Sequence, residues 1–490
     1  MTSLVPTFVA ASTAPVLPRV GSANETLEWI VLAVLFSVVV TWLTWRIPSD
    51  RDRSWLPAFI GWAWVAKMVG SLARYYMVAF LYAGGDAFGY HFQGTFFAKI
   101  WRALEVPVST AGGEGTAFTE VATGLVYALY TPNMVGGFLM FAFISFIGQL
   151  LFYSAFRPWF SGHQLKLYAV AVFFLPSVVF WPSSLGKDAL MTLFLGLAAY
   201  GASRLLRTYD FSSLLFLGPG LFLASRVRPH VAALLAVSIV LAAILGKTPK
   251  PARRSPKRLI LIGMAGVGVA FSLASFSTTF GVTLSGGGGT QDPTAFLDLV
   301  SSRTAQGGSE ITGGAVGSVS QLPGAVVTVL FRPLLHEAGD LQNLLSAMEG
   351  TALLLITIWK VPEMWRNRRQ LREKPMLLLA FLYTGGFIVA FSAILNLGII
   401  ARQRVQVLPF FLAALIGLGW HRMPAESSSE TAPKALGMSA RTVQGAPEAF
   451  GTDLVPSTRT SGMATNVMTI TPVIAEDQDS RASSPNTQIT

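Results

Sequence analysis

The 490-residue chain has no cysteine, which excludes disulfides, thiolate metal sites and cysteine nucleophiles. Charge is nearly as scarce. Lys and Arg number 36 and Asp and Glu 25, together 12% of residues, where a soluble domain carries roughly 25%. Hydrophobic residues make up 52% and mean hydropathy is +0.54. So few charges cannot cover the surface of a soluble protein of this length. The five histidines are His91, His163, His230, His336 and His421, and no two lie three or four residues apart. A local helical two-histidine metal site is therefore not written. Residues 1–26 hold one basic residue, Arg19, and three prolines, so no cleavable signal peptide is expected there.

What the chain does have is long apolar runs. A helix that crosses a bilayer needs about 20 mostly apolar residues. Eleven stretches qualify: 28–45, 55–83, 133–156, 167–182, 187–206, 211–225, 231–246, 259–279, 343–361, 376–394 and 405–420. The weakest are 167–182, interrupted by Pro176 and Pro182, and 211–225, which is short enough to be re-entrant. The expected fold is all-α, a polytopic transmembrane bundle of about eleven spans. Its expected parts are an external amino-terminal segment (1–26), a membrane domain (27–420) and a tail (421–490).

Sidedness follows from the basic residues. One set of alternating loops holds Arg46, Arg51, Arg53, Arg157, Lys166, Arg204, Arg207, the cluster Lys247 to Arg258 and the cluster Lys360 to Lys374, 19 in all. The opposite set holds ten: Arg19, Lys99, Arg102, Lys187, Arg226, Arg228, Arg303, Arg332, Arg402 and Arg404. Cytoplasmic loops carry the excess of Lys and Arg, so the first set is expected inside, the amino end outside and the carboxyl end inside. Topology then accounts for most of the net charge of +11, and no nucleic-acid partner is expected.

Two external loops stand out. Residues 84–130 contain an amphipathic stretch, Tyr90 to Leu104. Residues 280–342 open with Ser285-Gly-Gly-Gly-Gly-Thr290, read as a hinge because it lacks the lysine of a phosphate-binding loop. Residues 421–490 are rich in Ser, Thr, Pro and Ala with almost no aromatics, the composition of a disordered cytoplasmic tail. No internal repeat points to a transporter of duplicated halves.

The ten external cations persist against the bias of the topology, so they ask for a local reason. They cluster as Arg226-Val-Arg228-Pro-His230, Arg332-Pro333 and Arg402-Gln-Arg404. Each alone fits a side chain snorkelling to lipid headgroups. Together they suit a phosphate or pyrophosphate, which arginine binds bidentately. Asp86 follows two glycines at the outer end of the second span, where a partly desolvated carboxylate suits a general base for a hydroxyl nucleophile. The alternative is an ordinary helix cap for the stretch that follows, which begins with Tyr90 and His91. Lys187-Asp188 opens another helix, either as a phosphate ligand or as a self-contained ion pair, and His336-Glu337 after Arg332 has the same ambiguity. Lys67 and Arg74, seven apart in the second span, share one helix face.

The order of these features resembles the polyprenyl-phosphate-dependent membrane glycosyltransferases of the GT-C class and the related exopolysaccharide polymerases. The features are Asp86 at a membrane boundary, an amphipathic external helix, Lys187-Asp-Ala-Leu opening a later helix, and an Arg-rich turn into Val405-Gln-Val-Leu-Pro-Phe-Phe411. The resemblance implies an outer-face transferase in a bacterial-type inner membrane, with Asp86 as base and Lys187, Arg228, Arg332, Arg402 and Arg404 as holders of a lipid phosphate. Tyr90, His91, Asp188, Arg226, His230, His336 and Glu337 complete the expected substrate-binding set. Its partners would be membrane lipid and a polyprenyl-phosphate-linked sugar or glycan. The chain departs from the class in its extra first span and in the single carboxylate of Gly85-Asp86-Ala87 where many members have a pair. No metal or other cofactor is therefore expected. Two rivals use the same cations: an arginine-driven polysaccharide polymerase or ligase, and a transporter or flippase for an anionic lipid-linked substrate.

Overall fold

The computed structural model describes residues 23–46, 55–82, 84–106, 115–129, 131–247, 319–338, 341–392, 394 and 396–420, with isolated positions 263 and 266. The chain divides into two units, Met1–Ala425 and Glu426–Thr490. The second unit, the segment before residue 23, the Gly-rich hinge and nearly all of the expected span 259–279 lie outside the described residues.

Sixteen α-helices are described. They are α1 (Ala23–Arg46), α2 (Leu56–Tyr76, continued by a π-helical turn Met77–Leu81), α3 (Asp86–Arg102), α4 (Thr116–Ala128), α5 (Met134–Phe156), α6 (Gly162–Phe174), α7 (Pro176–Phe180) and α8 (Lys187–Thr208). There follow α9 (Leu214–Val227), α10 (Pro229–Leu245), α11 (Leu322–Phe331), α12 (Leu341–Arg366), α13 (Gln370–Glu373), α14 (Pro375–Phe391), α15 (Leu397–Gln403) and α16 (Leu408–Gly419). The protein is an all-α polytopic membrane protein. Among the described residues, five helices are long and apolar enough to cross a bilayer. Large apolar side chains stay uncovered along α1 (Ile30, Val34, Val38), α2 (Trp62, Val69, Leu72) and α12 (Leu355, Ile358). Faces this apolar are at home against lipid tails and not against water.

Each expected span that falls on described residues coincides with helix, but the helices are more broken than a count of apolar residues reveals. The stretch 167–182 falls on α6 and α7, bent by 53° at Leu175-Pro176; the final stretch, 405–420, falls on α16 and the turn before it, where the chain from α15 bends by 64°. If each bent pair is one span the described crossing elements number seven; α9, α10, α11 and α14 are shorter apolar helices. The expected loop helix from Tyr90 is α3, which begins at Asp86 and packs against α4.

Helix α8 runs through the middle, between α5 and α9. Glycine makes this possible. A Cβ on Gly148 of α5 would overlap the Thr192 carbonyl, and Cβ atoms on Gly201 and Gly220 would run into the backbones of α9 and α8. Small residues of this kind let helix backbones touch in a membrane, where packing rather than hydrophobicity holds helices together.

The bend at Pro176 frees backbone groups that need partners at membrane depth. Lys67 Nζ donates to the Val178 carbonyl at 3.2 Å and Gln149 Nε2 to the Val172 carbonyl at 2.9 Å. The Ser177 N–H donates to Glu349 Oε2 at 2.6 Å. Arg404, with 0% exposure, lies 3.6 Å from Glu349 and donates to the carbonyls of Leu330 at 3.0 Å and Arg332 at 3.2 Å. Lys67, Gln149 and Glu349 thus hold the broken helix in place, while Arg404 satisfies carbonyls at the end of α11 and reaches the bend only through the Ser177 hydroxyl, at 3.4 Å.

Candidate functional site

The residues that converge do so at one set of helix starts. Helices α3, α4, α8 and α10 follow Gly85, Gly115, Gly186 and Arg228, and none of the four has a side-chain cap. The three glycines have φ of 109°, 66° and 148°, values that a residue with a Cβ rarely adopts. Uncapped amide N–H groups and the positive ends of helix dipoles make such starts favourable to anions.

Asp188, 4% exposed, sits in the first turn of α8 between two guanidinium groups. Arg228 Nη2 donates to Oδ1 at 2.9 Å, and Arg402 Nε donates to Oδ2. Arg402 also donates through Nη1 to Asp86 Oδ2 at 3.1 Å. The chain Asp86–Arg402–Asp188–Arg228 therefore ties α3, α15, α8 and the α9–α10 junction together. Asp86 is its open end, with a side chain 60% exposed. Its carboxylate does not cap α3; Gly85 holds the cap position and Asp86 is the first helical residue.

Two cavities flank Arg402, and both are lined by Asp86 as well. The first, about 350 Å³, is lined further by Arg74, Tyr82, Gly85 and Ser184. The second, about 380 Å³, adds Gly115, Lys187, Arg228 and His230. Arg74 lies over Trp181 (4.7 Å) and Phe180 (5.2 Å). Those two aromatics also line a larger apolar groove of about 720 Å³ between α2, α6, α7 and α12, which meets the first cavity at Tyr82.

In the second cavity, Lys187 Nζ donates to Thr116 Oγ1 at 2.8 Å. Thr116 also hydrogen-bonds the Tyr90 hydroxyl, whose pKa burial and then the Asp86 charge push up to about 12. The α3–α4 pair is closely joined: His91 Nδ1 and Tyr127 Oη are 2.9 Å apart, and burial lowers the His91 pKa below its usual value.

Of the residues singled out from sequence, Asp86, Lys187, Arg228, His230 and Arg402 line the cavities. Asp188 and Tyr90 stand directly behind them. Arg226 enters through its backbone, its carbonyl accepting from the Gly115 N–H at 2.8 Å. His91 faces α4. Arg332, His336, Glu337 and Arg404 line neither cavity. Arg332 Nε donates to Glu337 Oε1 at 2.7 Å and Glu337 Oε2 accepts from the Leu334 N–H, a local pair that closes its own turn. Arg404 is packed in the core on carbonyls, as described above. Proximity to Arg402 in sequence is misleading here, because two residues apart on a helical turn is nearly opposite in direction.

Two contributors were not placed in the site from sequence. Arg74 reaches it from α2 across the Phe180-Trp181 platform and lines the first cavity together with Asp86; its spacing from Lys67 was the available signal. The other is the set of helix starts, for which a glycine directly ahead of each of three helices was the readable sign. Among the described residues no three His, Asp or Glu side chains gather as metal ligands would.

No protein-family model and no curated protein sequence matches the chain. Among solved structures it is similar to the crystal structure of ArnT from Cupriavidus metallidurans bound to undecaprenyl phosphate. Identity is 18% and the TM-score 0.39, over 76% of this chain and 60% of that one.

Proposed function

We propose that the chain is a glycosyltransferase of a bacterial-type inner membrane, using a polyprenyl-phosphate-linked sugar as donor and a glycan or lipid-linked glycan as acceptor at the outer face. One observation carries this reading: Asp86 and Arg402 line both of two adjacent cavities that are rich in cations. Arg74, Lys187, Arg228 and Arg402 face Asp86 and Asp188, four positive groups against two negative, a surplus of two. A sugar linked to polyprenyl phosphate is a phosphodiester with a single negative charge, so a bound donor offsets part of that surplus and leaves the cations beside it, Arg74 and Arg402, to meet the second charge that develops as the phosphate departs.

The apolar groove beside the first cavity suits a prenyl chain, and Tyr82, shared by groove and cavity, marks where tail would become headgroup. In the reaction, the acceptor hydroxyl oxygen attacks the anomeric carbon and the bond from that carbon to the phosphate oxygen breaks. Asp86 takes the hydroxyl proton, and the polyprenyl phosphate leaves with the bonding pair. Arg402 and Arg74 stabilise the charge that collects on the departing phosphate, the main electrostatic task of such a step. Arg402 is itself held by Asp188, so it is fixed before substrate arrives.

A transporter would need its cations deep in the bundle and open to either side. The deep cations, Lys67 and Arg404, are instead bound to backbone carbonyls, which favours the enzyme reading. The test pairs expression level with glycan synthesis for Asp86→Asn and Arg74→Gln. Normal protein levels with product lost in both variants is the expected result. Normal product in Asp86→Asn removes the base from the reading and leaves the arginine-driven polymerase.

A further inference from the structure

The two cavities are not equivalent, and the difference bears on the second substrate. The first opens beside the apolar groove and has one cation of its own, Arg74, besides the shared Arg402. The second does not share a lining residue with that groove, yet it has two cations of its own, Lys187 and Arg228. A neutral sugar acceptor would need neither of them.

Three features make the second cavity a built site. Arg228 is 8% exposed, and its Nη1 has no hydrogen-bond partner while Nη2 holds Asp188. A buried guanidinium N–H left unmatched in this way is costly unless a ligand completes it. Lys187 Nζ is held at the rim by an uncharged partner, the Thr116 hydroxyl, so its charge is not cancelled by its own contact. The starts of α4 and α10, at Gly115 and Pro229, also line the space, and neither has a side-chain cap. Their dipoles add to the same positive potential.

We infer that the second cavity is an anion subsite, and that the acceptor carries a phosphate or carboxylate which Lys187 and Arg228 hold while its hydroxyl meets Asp86. The inference rests on the proposed transfer for the word acceptor; the anion subsite itself does not. In this arrangement Arg402 is a partition between two anions, with donor phosphate on the Arg74 side and acceptor anion on the Lys187 side.

The experiment uses the full-length protein in nanodiscs. The first ligand is a polyprenyl monophosphate in the lipid phase, and inorganic phosphate is then titrated by calorimetry. Phosphate should still bind when the lipid phosphate is saturating. Lys187→Gln should weaken phosphate roughly ten- to a hundredfold, the scale of one charge-assisted hydrogen bond, and leave lipid-phosphate affinity within about threefold. Arg74→Gln should do the reverse. Lys187 is bonded only through its tip to Thr116, so its replacement leaves the Asp188 ion pairs intact. Competition between the two ligands for one site, or unchanged phosphate binding in Lys187→Gln, would overturn the subsite. Phosphate binding that depends on Lys187 in a protein that binds no polyprenyl phosphate would keep the subsite and overturn the proposed donor. Displacement of phosphate by a lipid pyrophosphate places the acceptor anion on a lipid, and displacement by a soluble uronate places it on a glycan. Displacement by neither contradicts the acceptor assignment.

Discussion

Replacing Asp188 by Asn tests the site's architecture more sharply than any other single change. The carboxylate is 4% exposed and bridges Arg228 and Arg402. Asn keeps the shape and one acceptor oxygen but removes the charge. Arg402 retains Asp86 as a partner at 3.1 Å, whereas Arg228, 8% exposed, loses its carboxylate altogether. Leaving one member of a buried ion pair uncompensated costs about 3–5 kcal/mol, roughly two to four powers of ten in a folding equilibrium. Asp86→Asn, by contrast, removes one end of a pair whose carboxylate is 60% exposed, worth about 0–1 kcal/mol. The assay is detergent-solubilised yield and thermal unfolding of both variants beside the parent protein. Asp188→Asn should lose most of its folded yield or unfold well below the parent, while Asp86→Asn unfolds with it. An Asp188→Asn protein as stable as the parent would refute the claim that this carboxylate organises the two arginines.

Other outcomes follow from the packing and the pairs. Gly148→Ala should cost about 1–3 kcal/mol, the usual penalty of overpacking, because the new methyl meets the Thr192 carbonyl; thermal unfolding checks it. Arg404→Met should reduce folded yield and product together, since Arg404 binds the Leu330 and Arg332 carbonyls beside Glu349 and lines neither cavity; product lost at full yield would return it to the site. For His91, burial holds the folded pKa below the value of the unfolded chain. The unfolded state then binds more protons between the two values, so stability is full above about pH 6.5 and falls as pH drops toward the folded pKa. Unfolding temperatures at pH 7.5 and 5.0 should differ less in His91→Gln than in the parent.

The fold class was legible because scarce charge and eleven apolar stretches leave little alternative to a membrane bundle. The breaks were only half legible. Pro176 announced a bend, but Lys67, Gln149 and Glu349, which satisfy the freed backbone there, come from three separated segments that only the tertiary fold brings together. In the site, Asp86, Lys187, Arg228 and Arg402 could be picked out because each is a charged residue at the end of an apolar stretch. Arg332 and Arg404 satisfy the same rule and go elsewhere. Position along the sequence says which residues reach a membrane boundary; the direction a helical turn presents decides which of them share a cavity. Asp188 shows the complementary case. Read locally it pairs with Lys187, but in the fold its partners are 40 and 214 residues away.

The central claim is that Asp86 accepts the acceptor's proton during sugar transfer. Purified protein in proteoliposomes, given a polyprenyl-phosphate-linked sugar and an acceptor glycan, should release free polyprenyl phosphate in step with glycosylated product. Asp86→Asn should bind the lipid phosphate with the parent's affinity yet release it about 10²–10⁴-fold more slowly, the contribution expected of a positioned general base. Release by Asp86→Asn within tenfold of the parent, at equal amounts of folded protein, would contradict the account.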